Sequence, residues 1–251
     1  MKLRILVGVL VSVSLCLGVV LFATGTGASD GRMWFQSAEV TDAYQFPERT
    51  GEYMAWNDVI KFMQVPEEVL KSMSTEGLVE TCLSYPLYGA MAVSNQSMYA
   101  GFLQICEQFN GLQELFQRDD CGAELLKIYK RLYLKKLAHS STPDTLRIRY
   151  FAYILADSNV LGNLKIEGRD ELKDACMGNL VLMINEYPNI YSVEPTALIV
   201  ARILNLDSTE FIEYAYMHAN IRIFLTEGWL WFHSEEEVIE FSYFFANLFG
   251  V

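Results

Sequence analysis

Few residues in this chain have the type and spacing that chemistry needs. The three histidines, His139, His218 and His233, are scattered, and none sits in an HExxH arrangement that would hold zinc. His218 has the most useful surroundings. Glu210, Glu213, Tyr214 and Arg222 lie within two helical turns of it, a set that could orient an imidazole for proton transfer. The competing expectation is a histidine that finds a hydrogen-bond partner where core meets solvent. Glu235, Glu236, Glu237 and Glu240 invite a cation, but acidic residues in the first turns of a helix already complement its dipole. No GxSxG elbow, SxxK pair or glycine-rich loop after a strand is present, so nucleophilic and phosphate-cradling classes have no motif to stand on. A glycosidase-like pair of carboxylates could still be assembled in space from distant positions. No catalytic residue, metal ligand or cofactor is assigned.

Aromatic side chains offer a different chemistry. Trp229, Trp231 and Phe232, followed by Tyr243, Phe244 and Phe245, are dense enough to line a groove for a peptide or sugar, with His218 at its edge. Aromatics at helical spacing also make ordinary core. Cys82, Cys106, Cys121 and Cys176 stand at intervals of 24, 15 and 55 residues. Their even number permits two disulfides in an oxidising compartment. Three of them fall on apolar helical stripes, where a free thiol behaves as a small hydrophobe, and no CxxC occurs to suggest redox or zinc chemistry.

The elements that must carry these residues are helices. From Trp56 to Leu87 three short helical patterns follow one another. Trp56, Val59, Ile60 and Met63 recur at helical spacing; Pro66, Glu67 and Glu68 begin a second helix; Ser74 begins a third along Leu78, Val79, Cys82 and Leu83, which Tyr85-Pro86 ends. Met98, Phe102, Ile105, Cys106 and Phe109 define the next stripe, which Asn110-Gly111 is expected to close. Leu112, Leu115 and Phe116 lead to Asp119-Asp120, the start of a helix from Cys121 to about Ala138. Thr142-Pro143 restarts the chain into a helix whose stripe, Leu146, Tyr150, Tyr153 and Ile154 widened by Phe151 and Leu155, predicts burial on more than one side. A loop is expected over Asn159 to Gly168. The helix from Asp170 to Glu186 then runs through Leu172, Cys176 and Leu180 to Tyr187-Pro188, and Glu194-Pro195 restarts the chain along Leu198, Ile199, Arg202, Ile203 and Leu206. Phe211, Ile212, Ala215, Ala219, Arg222, Ile223 and Thr226 predict one continuous helix of four turns, stopped by Gly228. Ser234 with Glu237 forms a capping box before Val238, Phe241, Phe245 and Leu248. All six prolines fall in the arm or at helix ends, as an all-α assignment requires.

The segment QVPEEVLKSMSTEGLVETCLSYPL, Gln64 to Leu87, resembles one found in exported bacterial proteins of unassigned function. That resemblance implies a bacterial, exported origin and no activity. The start of the chain agrees with it. Lys2 and Arg4 precede an apolar run from Ile5 to Ala23, and Thr26-Gly27-Ala28 offers a small-residue cleavage site before Ser29. The apolar run is also long enough for an uncleaved anchor. Leu15 before Cys16 argues against a lipoprotein. Residues 29–55 show no helical period and read as a linker or extended arm, with Trp34-Phe35 folded back onto the domain or free for a partner.

Composition sets the outer bounds. Apolar residues make up 52% of the 251, ample for a core, and the net charge is −12. Without Lys2 and Arg4 the remainder holds 17 basic residues against 31 acidic ones, which argues against nucleic acid as a partner. The basic stretch Lys127 to Lys136 reads as the solvated flank of an amphipathic helix. Leu78-Val79 with Tyr85-Pro86 is matched by Leu180-Val181 with Tyr187-Pro188, a weak internal echo that fits stacked helix pairs. The expected protein therefore has an export signal over 1–28, an arm over 29–55, and one all-α domain over 56–251 of about nine helices in stacked antiparallel pairs. It is expected to bind or scaffold a protein or peptide at the cell envelope. The rivals are an extracytoplasmic hydrolase with a spatially assembled carboxylate pair, and a signal-anchored envelope component that meets the membrane only through its N-terminal segment.

Overall fold

The computed structural model describes residues 40–48, 54–94, 97–131, 142–185 and 193–228. The leader, Trp34-Phe35, His139, Tyr187-Pro188 and everything from Trp229 onward lie outside the described residues. Among those described the chain is all-α, with 76% helix and no strand. The described residues hold twelve α-helices, nine of them seven residues or longer, with one 3-10 turn. No helix among the described residues is long and apolar enough to cross a membrane. The chain divides into two compact units, Met1–Leu115 and Phe116–Val251.

The first unit holds α1 (Trp56–Phe62), α2 (Glu67–Ser72), α3 (Thr75–Leu83), a 3-10 turn (Tyr88–Val93), α4 (Met98–Gln108) and α5 (Asn110–Leu115). Val59 and Met63 are buried as the spacing of α1 predicts, but Ile60 is only half-buried and Trp56 half exposed; Val65, Leu70 and Met73 are buried as well. Side chains on a helix lean toward its N-terminus, so a residue at the first position projects off the end of the stripe. Ser74 caps α3 by accepting from the Gly77 N–H at 3.0 Å. Every residue of α3 except Glu76 is buried, which makes it the centre of this unit. The stripe of α4 is broken at Phe109, whose backbone is extended, and Asn110 opens α5 instead of closing α4. The reason lies 45 residues away. The Asn110 side-chain amide accepts from the Val65 N–H at 3.0 Å and donates to the Val65 carbonyl at 2.7 Å, while its own N–H donates to Gln64 Oε1. A non-helical backbone group between α1 and α2 is thus satisfied by a side chain at the start of α5.

The second unit holds α6 (Cys121–Lys130), α7 (Thr142–Leu155), α8 (Ser158–Asn163), α9 (Ile166–Asn185), α10 (Glu194–Asp207), α11 (Thr209–Met217) and α12 (Ala219–Glu227). Helix α10 lies at its core, packing against α7, α8, α9, α11 and α12. All residues from Pro195 to Ala201 are buried, as befits a helix enclosed on every side. The broad burial expected of α7 is present from Tyr150 through Leu155.

Four expectations need correction here. The loop over Asn159 to Gly168 contains α8 and the first turn of α9; Val160, Leu161 and Leu164 are buried, and Asp157 caps α8 by accepting from the Asn159 N–H at 2.8 Å. Burial of three apolar side chains outweighs the weak helix propensity of glycine and asparagine. Asp120 stands at the N-cap of α6, yet its side chain makes no cap hydrogen bond. Leu206 is half exposed, because it lies in the last turn of α10 beyond the enclosing helices. The four-turn helix from Phe211 to Thr226 is two helices, since His218 is extended at φ −113° and ψ 106°. That one residue shifts the phase: Phe211 and Ala215 face inward before it, Ile221 and Phe224 after it, and Ile212 and Ile223 are exposed. Gly228 ends α12 as expected, in the left-handed conformation at φ 64° that glycine adopts without penalty.

Candidate functional site

His218 sits at the junction of α11 and α12, half-buried, its ring 4.1 Å from that of Tyr214 and its backbone N–H donated to the Tyr214 carbonyl at 3.2 Å. Arg222 donates to the carbonyls of Ala215 and Tyr216 and so closes the end of α11 with positive charge. Tyr214, His218 and Arg222 thus meet at a helix corner. Trp229, Trp231 and Phe232, the other members of the expected groove, lie outside the described residues.

Cys82, Cys121 and Cys176 are buried free thiols, and Cys106 is a half-buried one. Burial pushes the Cys82 thiol well up, raises Cys121, and takes Cys176 up to about 12. A thiol held protonated in apolar surroundings is a poor nucleophile. Cys176 shares its site with the buried Tyr129 hydroxyl, which faces Asn179 and Thr196 as well. Among the described residues no group of three or more His, Cys, Asp and Glu could hold a metal ion.

A more organised site lies on α3, and its other half is the arm. Residues 41–48 have no regular secondary structure, yet they are tied down along the helix. The Asp42 carboxylate accepts from the Ser74 N–H at 2.7 Å and from the Ser74 hydroxyl at 3.1 Å, placing an anion at the positive end of α3. The Tyr44 N–H donates to Thr81 Oγ1 at 2.8 Å, and that hydroxyl donates in turn to the Gly77 carbonyl at 2.8 Å. Phe46 stands against Tyr85 and Phe109, ring centroids 5.7 and 6.0 Å away, over a stack in which those two rings are 3.9 Å apart. Tyr44 meets Phe46 edge-on at 5.2 Å. The helical rise carries the line from Ser74 to Tyr85 roughly 16 Å. The four steps from Asp42 to Phe46 cover about 13 Å only if the chain is drawn out, so the segment runs extended along α3.

Gly77 makes this seat. A Cβ there would overlap Asp42 Oδ1, so the glycine is the space the carboxylate occupies. Residues 29–55 show no helical period and so read as a linker or extended arm, without marking this seat. The signal was a period of two: Asp42, Tyr44 and Phe46 fall on one side of an extended chain.

No protein-family model, curated protein or solved structure matches this chain.

Proposed function

We propose that the chain is an exported, all-helical binding or scaffold module of the bacterial envelope or its surroundings, with a protein or peptide as partner and the membrane met only through the N-terminal segment where that is retained. The observation that carries this reading is the extended segment held on α3 by charge, backbone hydrogen bond and aromatic contact together. This is how helical proteins grip peptides: a helix end for a carboxylate, a hydroxyl for a main-chain N–H, a slot for a ring. The Lys2/Arg4 leader with its apolar run supports export, and the acidic balance speaks for a partner other than nucleic acid.

Affinity capture from envelope and culture fluid tests the reading, with residues 29–251 as bait beside the same bait carrying Gly77→Ala. A protein enriched by the first and lost from the second, with unchanged circular dichroism, supports a binding module acting through α3. Equal recovery by both baits, or none by either, overturns it.

A further inference from the structure

The segment over α3 is bound in an unusual way for a piece of core. None of residues 40–48 is buried; Thr41, Asp42, Gln45 and Glu48 are exposed, and Tyr44 and Phe46 only half-covered. The floor beneath is sealed: Thr81 is 0% exposed, Tyr85 2% and Phe109 0%. A fully buried surface whose lid is a partly exposed, non-helical strap has an easily removed cover, here attached through the Asp42 carboxylate, the Tyr44 N–H and the Phe46 ring. None of the three attachments depends on the strap being joined to this chain. Any extended segment with a carboxylate, an aromatic residue two positions on and a phenylalanine two beyond that would make them all.

We infer that the strap is a built-in occupant of a peptide groove on α3, and that the groove takes in exchange an extended acidic-aromatic segment of a partner protein with the pattern Asp-x-aromatic-x-Phe. This rests on the binding-module reading and gives it a ligand chemistry. The strap then sets the threshold for binding, because only the fraction of molecules with the strap lifted can accept the partner. The negative residue of the ligand selects the N-terminal end of α3, and the phenylalanine ring fixes its register on Tyr85 and Phe109, with the preceding aromatic packed edge-on against it.

The test is fluorescence anisotropy with a labelled peptide of this chain's own residues 40–48, VTDAYQFPE, titrated with the full chain. In the full chain carrying Asp42→Ala and Phe46→Ala, which weakens the strap and leaves the floor intact, the apparent Kd is expected to fall at least about tenfold below wild type. Adding Gly77→Ala to that variant should abolish binding, because the new methyl group fills the carboxylate seat. A scrambled peptide should not bind. Absence of saturable binding by the strap variant while it keeps native circular dichroism overturns the inference, as does binding indifferent to Gly77→Ala. Should the wild-type chain instead form dimers by light scattering and exclude the peptide, the occupant is a second copy's strap and the partner-protein inference falls. Hydrogen exchange in the wild-type chain gives a second reading that does not require the variant to fold. Excess peptide must speed exchange at the Tyr44 amide, and an unchanged rate refutes displacement. A failed titration beside a partner captured in a Gly77-dependent way would discard the exchange of strap for peptide while leaving the binding-module reading intact.

Discussion

Helices α3 and α10 are both buried centres, yet they are covered by different means. Around α10 the cover is five helices, and the polar groups at their ends are held from within: Arg202 donates through Nη1 to the Ala156 carbonyl at 2.7 Å and through Nε and Nη2 to the Leu225 carbonyl at 2.9 and 2.6 Å. Near its C-terminal end Arg169 grips Asp207 with two parallel bonds of 2.7 and 2.6 Å. Around α3 part of the cover is a strap without secondary structure. The difference teaches where exchange is feasible. Helices that bury one another cannot leave singly, whereas a strap satisfied by side chains of the groove can be replaced by anything bearing the same groups.

Alkali should erase the distinction, and this is the largest effect expected. Burial raises the Cys176 thiol to about 12 from an ordinary 9, and raises Cys82 and Tyr129 well above theirs. The unfolded chain therefore loses these protons first. Their contribution to stability is intact below about pH 9 and, for Cys176, lost as pH rises toward about 12. Circular dichroism against pH should show unfolding in that window, with the thiols becoming reactive toward an aromatic disulfide reagent at the same point; at neutral pH Cys106 should react first. Next in size, Ile199→Ala on α10, where the side chain is 0% exposed, should destabilise by about 2–5 kcal/mol in urea. Arg202→Met should lower stability by about 1–3 kcal/mol, because it strands two helix-end carbonyls. Phe46→Ala should lower global stability by only about 1 kcal/mol, while sharply increasing chymotryptic cleavage at Tyr44. A Phe46→Ala loss as large as that of Ile199→Ala would make the strap part of the core and remove the contrast. Lys71→Ala, which deletes an exposed i,i+4 pair with Glu67, should leave the urea midpoint unchanged.

What the sequence made legible was local. Ser74 as a cap, Pro66 and Pro195 at helix starts, Gly228 at a helix end and the stripe Leu78, Val79, Cys82 and Leu83 all follow from groups within four residues of one another, which is the range a periodic pattern reports. The strap and the Asn110 tie were illegible for the opposite reason. Asp42 meets Ser74 across 32 residues, Tyr44 meets Thr81 across 37 and Asn110 meets Val65 across 45, and nothing in a single sequence marks which distant hydroxyl or amide a backbone group will find. The break at His218 was hidden differently: a continuous 3.6-residue period passes through it, and only the burial of Ile221 and Phe224 in place of Ala219 and Ile223 reveals the changed phase. Of the candidate site, the Thr81, Tyr85 and Phe109 floor lay on or beside recognised stripes, while the groove it forms depended on an arm read for the wrong period.

The enclosure of α10 also dictates an order of events in folding. Its run Pro195 to Ala201 is apolar or uncharged all round, so that stretch has no face that prefers water, and the arginine clamp of the same helix reaches back 46 residues to Ala156. Closing so long a loop carries an entropic cost that the local contacts of α11 with α12 do not. The second unit thus lacks its central helix until residue 207 has been made. The first unit, complete by residue 115, is free to mature earlier. A chain emerging N-terminus first would then offer the groove on α3 to its surroundings while the rest was still being assembled.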